Sequence, residues 1–225
     1  VVAYSATGRL ADAEKLLAAA LKKNSRDQDA LLQQAELHLR AGKHAEAEQD
    51  LNRVLKLSPD SAPAHYILAR LHQARGETLS YRQQLSKVLS LNPYLLPVRL
   101  ELAQLLAVPN TANASLNVLD EAPESQRNEL PILIQRNWTL WVLGDMAELR
   151  KGIDQGLARQ RSPELLIQDA MWKLRSGNPA ASSRVSTSAS ERAVLAPRPR
   201  LTLDLTYLEW KASGLGVSAA SAATT

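Results

Sequence analysis

Residues 28–61 read QDALLQQAELHLRAGKHAEAEQDLNRVLKLSPDS, and this stretch decides the fold. In its first half Leu31, Ala35 and Leu39 stand at i, i+4 and i+8; in its second Ala47, Leu51, Val54 and Leu55 stand at i, i+4, i+7 and i+8. Both spacings put the apolar side chains on one stripe of a helix. Gly42 separates the two runs, and glycine enters left-handed backbone without steric cost, as a tight turn requires. Pro59 then closes the second run. The stretch reads as two helices joined by a glycine turn.

Outward from there the same landmarks return every 34 residues. Gly8, Gly42, Gly76 and Gly144 share one lattice, and Asn110 fills its skipped point. Asparagine tolerates left-handed backbone better than other non-glycine residues, so Asn110 is expected to make the same turn. Leu17, Leu51, Leu85, Leu119 and Ile153 form a second lattice, a core position. Pro63, Pro97, Pro131 and, after a gap at Leu165, Pro199 form a third, suited to the first turn of a helix. Pro59 and Pro93 repeat as helix stops. One constant period of this length signals stacked copies of one supersecondary unit. The predicted helices cover residues 10–23, 28–41 with 44–57, 63–75 with 78–91, 97–107 with 112–121, 131–143 with 146–159, and 163–175. The fold expected is all-α, a right-handed α-solenoid of antiparallel helix pairs with a 34-residue period.

Residues 1–179 are assigned to this array and 180–225 to a degenerate last repeat. Residues 180–196 are rich in serine and alanine, with few large side chains to bury. Leu201, Leu203, Leu205 and Tyr207 alternate with polar residues as a strand would, but Pro199 lies on the helix-start lattice, which favours an end helix near 200–213 and a frayed tail.

Composition narrows the function. The chain has 225 residues, 45% hydrophobic and 22% charged, with no cysteine, which excludes disulfides, thiolate nucleophiles and thiolate metal sites. Lys+Arg 27 against Asp+Glu 23 leaves only +4, with both signs interspersed, so nucleic acid is a poor fit as partner. No apolar run approaches the roughly 20 residues that cross a bilayer, and the chain is expected to be soluble, in a cytoplasm or a bacterial periplasm. No glycine-rich phosphate loop or nucleophile elbow is present. His38 with His44, and His65 with His72, lack the i, i+4 spacing of helical metal pairs. His38 and His72 stand 34 apart and read as equivalent packing positions. The chain is expected to need no cofactor and no metal, and not to be an enzyme.

A helix–turn–helix unit of about 34 residues resembles the tetratricopeptide repeat. The resemblance rests on Leu31, Ala35, Gly42, Ala47, Leu51, Val54, Leu55 and Pro59 in the second repeat. In the third it rests on His65, Leu68, Ala69, Gly76, Leu85, Val88, Leu89 and Pro93, and in the first on Gly8, Ala13, Leu17, Ala20 and Leu21. Tyr81, Ser115 and Leu149 stand where the family keeps alanine, and Asn137 replaces a small residue of a first helix, which predicts less regular fourth and fifth repeats. Val1 falls partway through a first helix, so the chain reads as a piece of a longer bacterial array.

The resemblance implies a protein-binding scaffold whose first helices line a concave groove. Carried over position by position, the groove would present Leu32, Glu36, Leu39 and Arg40, then Tyr66, Arg70 and Gln73, then Leu100 and Gln104, then Ile134, Trp138 and Trp141. This mixed apolar and charged set suits a peptide or amphipathic helix of a partner protein, with tryptophan, tyrosine and arginine as anchors. The two tryptophans read equally well as core packing, and Leu32 and Leu100 as contacts with neighbouring helices. An alternative role is the accessory repeat segment of a larger enzyme or sensor whose catalytic part lies outside this chain.

Overall fold

The computed structural model describes residues 10–176. Gly8, Pro199, the expected end helix near 200–213 and the boundary near 180 lie outside the described residues. Nine helix starts within them follow from the repeat. The first helices of successive pairs are α2 (Gln28–Arg40), α4 (Ala62–Ala74), α6 (Leu96–Leu106) and α9 (Leu130–Leu143), each beginning 34 residues after the last. The second helices are α1 (Leu10–Lys23), α3 (His44–Leu57), α5 (Thr78–Leu91), α7 (Ala112–Asp120) and α10 (Met146–Arg159), again 34 apart. A single turn, α8 (Glu124–Arg127), follows α7, and α11 (Pro163–Arg175) ends the described residues. No strand occurs among them.

Local chemistry sets these ends. Asp27 and Ser61 cap α2 and α4, their side chains accepting from the Ala30 N–H at 3.0 Å and the Ala64 N–H at 3.4 Å. Pro63, Pro131 and Pro163 sit in first turns, where a missing N–H costs nothing. At the other end Gly42, Gly76 and Gly144 take φ of 72°, 75° and 78°. Each carries the same pair of closing bonds. Around Gly42, for example, the Gly42 N–H reaches the Leu39 carbonyl at 3.0 Å and the Lys43 N–H reaches the His38 carbonyl at 2.8 Å. These bonds satisfy carbonyls that the helix end would leave open.

Asn110 does not follow them. None of the described residues other than glycine has positive φ, so the left-handed turn expected at Asn110 is absent. Pro109 is the reason: it lacks an N–H and biases the residue before it away from helical backbone, so α6 stops early, at Leu106. The Thr111 hydroxyl then donates to the Leu106 carbonyl at 2.8 Å in place of a glycine turn.

The described residues group into two compact units, 10–95 and 96–176. In the first, α2, α3 and α4 close over a cluster of Leu31, Leu32, Ala35, Ala47, Leu51, Val54, Ala64, Ile67 and Leu71, with Leu21 of α1 packed against it. Ala13, Leu17, Ala30 and Leu37 continue it. The lattice leucines Leu51 and Leu85 are fully buried. Exposed ion pairs such as Lys43–Glu14 at 2.8 Å and Arg75–Glu48 at 2.7 Å join consecutive second or first-and-second helices, each worth about 0–1 kcal/mol. They mark the register more than they hold it.

In the second unit α6 to α11 pack through Leu100, Ala103, Leu119, Ala122 and Ile132, and separately through Leu140, Leu149 and Ile153. The irregularity expected here is real. Pro123 follows α7, which has only nine residues against 14 in α3, α5 and α10. The departures from small residues remain core positions: Tyr81, Ser115 and Leu149 are 3%, 0% and 1% exposed. Ser115 carries its hydroxyl inside by donating to the Ala103 carbonyl at 2.7 Å and pairing with the Thr139 hydroxyl at 3.0 Å.

Candidate functional faces of the first helices

Because the first helices begin in register, equal positions along them recur from pair to pair, and each unit presents its own row of them. On α2, Glu36 and Arg40 form an i, i+4 ion pair at 2.9 Å, Arg40 exposed and Glu36 half-buried. Leu39 is half-buried against the core cluster beneath. On α4, the Arg70 guanidinium donates to the Gln73 amide oxygen at 2.5 Å, both residues half-buried. Tyr66, one turn earlier, is only 3% exposed.

The second unit offers Gln104 on α6 and Ile134, Trp138 and Trp141 on α9, all half-buried. Trp141 packs against Leu140, Leu149 and Ile153, with the Arg175 guanidinium 4.9 Å from its ring centroid. The packing alternative therefore describes Trp141 well.

Leu32 and Leu100 are placed differently from the expectation that they line a groove. Leu32 is 4% exposed within the cluster of Leu31, Ala35 and Ala64, and Leu100 is 7% exposed against Ala103, Leu119 and Ile132. Tyr66, at the same position of the pair between them, is likewise buried, at 3%, whereas Ile134, at that position of α9, is half-buried. The burial of Leu32 and Leu100 serves stability.

The histidines are half-buried, and the rings of His38, His65 and His72 find polar partners. His38 Nδ1 lies 3.0 Å from Asp50 Oδ2, and His72 Nδ1 lies 2.5 Å from Glu77 Oε2. His65 bridges the Gln84 amide at 2.8 Å and the Pro59 carbonyl at 2.9 Å. Burial pushes the Asp50 carboxyl up, against the opposing pull of His38 and of Arg53 at 3.4 Å. Among the described residues no group of three His, Asp or Glu could hold a metal ion. No helix among them is long and apolar enough to cross a membrane.

Residue-by-residue reading missed a polar network in the second unit. Asn137 is 1% exposed, and its amide donates to Gln168 Oε1 at 2.9 Å. Gln168 in turn donates to the Ile134 carbonyl at 3.0 Å. Room for the larger side chain comes from Gly152 on α10, where a Cβ would fall 2.0 Å from Asn137 Oδ1. Nearby, Asp169 is 6% exposed; burial pushes its carboxyl up, but hydrogen bonds from Lys173 and Arg150, both at 2.6 Å, outweigh that and hold it below the ordinary range. Arg150 also lies 5.0 Å from the Trp172 ring centroid, and Trp172 donates to the Met146 carbonyl at 2.9 Å. The signal available was a pair of glycines, Gly152 and Gly156, inside a predicted helix, where glycine is costly unless something needs the space.

Comparison with known proteins agrees with this geometry. A model of the tetratricopeptide repeat family matches residues 1–62 and 32–78. YrrB, whose crystal structure is described as that of a TPR protein with an unusual peptide-binding site, is 15% identical, with 77% of this chain and 90% of YrrB covered and a TM-score of 0.60. PilF of Pseudomonas aeruginosa is 13% identical, covering 94% of this chain and 93% of its own, with a TM-score of 0.63. MamA is 16% identical, covering 69% and 85%, with a TM-score of 0.57. No curated protein sequence matches the chain. At these identities the structural likeness concerns the fold, an α-solenoid of antiparallel helix pairs. The repeat match over residues 1–78 and the 34-residue register of its helices make the chain similar to proteins of the tetratricopeptide repeat family.

Proposed function

We propose that this chain is a non-catalytic scaffold that holds a peptide or helix of a partner protein against the faces of its first helices. The observation that carries the reading is the common register of α2, α4, α6 and α9, which repeats equal side-chain positions at every pair. Glu36, Leu39 and Arg40, and Arg70 with Gln73, serve the first unit; Gln104, Ile134 and Trp138 serve the second. An extended or helical segment is suited to such a row, because its own side chains also recur at fixed intervals. The arginines provide forks for carboxylates, and the tryptophan a broad anchor. Tyr66 and Trp141 contribute through an edge at most, and Leu32 and Leu100 only by supporting the helices. YrrB, of the same fold, is described as having a peptide-binding site, which supports the class of partner without locating it here.

The test is capture of interacting proteins by the immobilised chain, compared with Arg70→Ala and Trp138→Ala made separately. A partner held as proposed is retained at least about tenfold less by one or both variants, the cost of losing a central anchor. Capture unchanged by both, from variants with wild-type circular dichroism, removes these faces from the account.

A further inference from the structure

Gln168, on α11, stands 34 residues after Ile134 and so holds the same position of its own first helix. It does not face outward, being 3% exposed. Both ends of its amide reach back to α9: it donates to the Ile134 carbonyl at 3.0 Å and accepts from Asn137 at 2.9 Å. A carbonyl can only accept, so the bond to Ile134 fixes which end of the Gln168 amide is the nitrogen, and Asn137 meets the oxygen. Leu32 and Leu100, at this position of α2 and α6, have no donor for such a bond.

The two groups it holds belong to one turn of α9, and that turn carries Trp138. Helix geometry directs the Trp138 N–H to the carbonyl four residues back, so the Ile134 oxygen receives the intrahelical bond and the Gln168 bond together. Asn137 immediately precedes Trp138, is 1% exposed, and fills the space left by Gly152. Trp138 itself is half-buried. A second hold from α11 falls one turn on, where the Arg175 guanidinium is 4.9 Å from the Trp141 ring centroid. A broad anchor binds best when its backbone and rotamer are set before the partner arrives, because ordering it on binding costs affinity.

We propose that Gln168 is a positioning residue for the partner face of the second unit: touching no partner itself, it acts through Ile134 and Asn137 to hold the turn that presents Trp138. This role presupposes that the first-helix faces bind a partner. Stability alone is an insufficient account of the Asn137–Gln168 pair, since two apolar side chains of similar volume would fill the same space without needing the bonds.

The test uses the full chain carrying 5-fluorotryptophan, with the ¹⁹F line of Trp138 identified by Trp138→Phe. Asn137→Ala with Gln168→Leu removes donor and acceptor together, and should leave the thermal midpoint no lower than Asn137→Ala alone does. The Trp138 line is nonetheless expected to shift and broaden in the paired variant. Asn137→Ala alone keeps the bond to Ile134 and should leave that line close to wild type. For binding, the probe is the tightest dodecapeptide selected from a random display library on the immobilised wild-type chain. The paired variant should weaken its binding about two- to tenfold, the cost of ordering one side chain on binding, and Asn137→Ala should weaken it less. A Trp138 line unchanged in the paired variant, or changed as much by Asn137→Ala alone, overturns the positioning role. So does unchanged affinity of the paired variant for a peptide whose binding Trp138→Ala abolishes. A peptide indifferent to Trp138→Ala instead removes the partner face from the account, whatever the ¹⁹F line does, and the role of Gln168 goes with it.

Discussion

Replacing Gly152 by alanine should destabilise the second unit, although alanine is the better helix former. The gain in helix propensity is about 1 kcal/mol. Against it, the new Cβ would lie 2.0 Å from Asn137 Oδ1 and 3.1 Å from its Cγ, so the amide has to move. Asn137 is 1% exposed and donates to Gln168 at 2.9 Å, and displacing it opens that bond where water cannot replace it. An unsatisfied buried polar group costs about 1–3 kcal/mol. Overpacking of a filled core adds about 1–3 kcal/mol. The net loss is then about 1–5 kcal/mol from these sums. The partner change reverses it: in an Asn137→Ala background the amide is gone, and Gly152→Ala should keep its propensity gain and be neutral or stabilising. The two substitutions together should therefore be more stable than their separate costs add up to, by at least about 2 kcal/mol. Urea unfolding followed by tryptophan fluorescence suits the measurement, because Trp138, Trp141 and Trp172 all lie in this unit. Gly152→Ala costing the same with and without Asn137 would show that the amide is not what fills the glycine's space.

Three further outcomes follow from the geometry. Gly76→Ala should cost about 1–2 kcal/mol of left-handed backbone strain, since nothing lies within 4 Å of its added Cβ, while Gly76→Asn costs less, and Asn110→Gly gains nothing because Asn110 is not left-handed; denaturant midpoints compare the three. Asp169, held low by Lys173 and Arg150, contributes stability that is present above the ordinary carboxylate pKa of about 3.9 and lost as pH falls through its own lower value, so Asp169→Asn should weaken the chain at pH 7 and flatten its acid-side loss in a pH series of melts. Asp50, raised mainly by burial, works the other way: its contribution falls as pH rises from the ordinary value to the raised one, so Asp50→Asn should make the acid-side loss steeper.

The starts of the paired helices were legible in the sequence to within one residue, because they depend on local chemistry that recurs with the period: a cap at Asp27 and Ser61, a proline in the first turn, a glycine after the last. Asn110 shows where position on the lattice is insufficient. The chemistry that decided its turn belonged to its neighbour Pro109, which ended the helix before the expected turn could form. Candidate face residues were legible as positions but less so as surfaces. Whether Leu32 faces outward or inward depends on how near the adjacent helix comes, and that distance is set by residues elsewhere in the chain. His38 and His72 were correctly paired by position, yet their partners differ: Asp50 lies on the next helix and Glu77 in the turn beyond.

The departures in the fourth and fifth repeats are better understood in pairs than one at a time. Asn137 is too large for its position, and Gly152 is too small for an ordinary helix interior; together they fill one contact, with Gln168 answering the amide. Ser115 brings a hydroxyl where the family has a methyl, and Thr139 on the neighbouring first helix supplies a second one to meet it. Gly156 repeats the device, since its Cβ would fall 2.8 Å from the buried Leu165 side chain. Each pair exchanges apolar volume for a hydrogen bond or a closer helix approach, and the exchange is favourable only while both members are present. The regular repeats of residues 28–91 have no such pair, because Ala35 and Ala69 fill the same first-helix position with a methyl group that needs no partner.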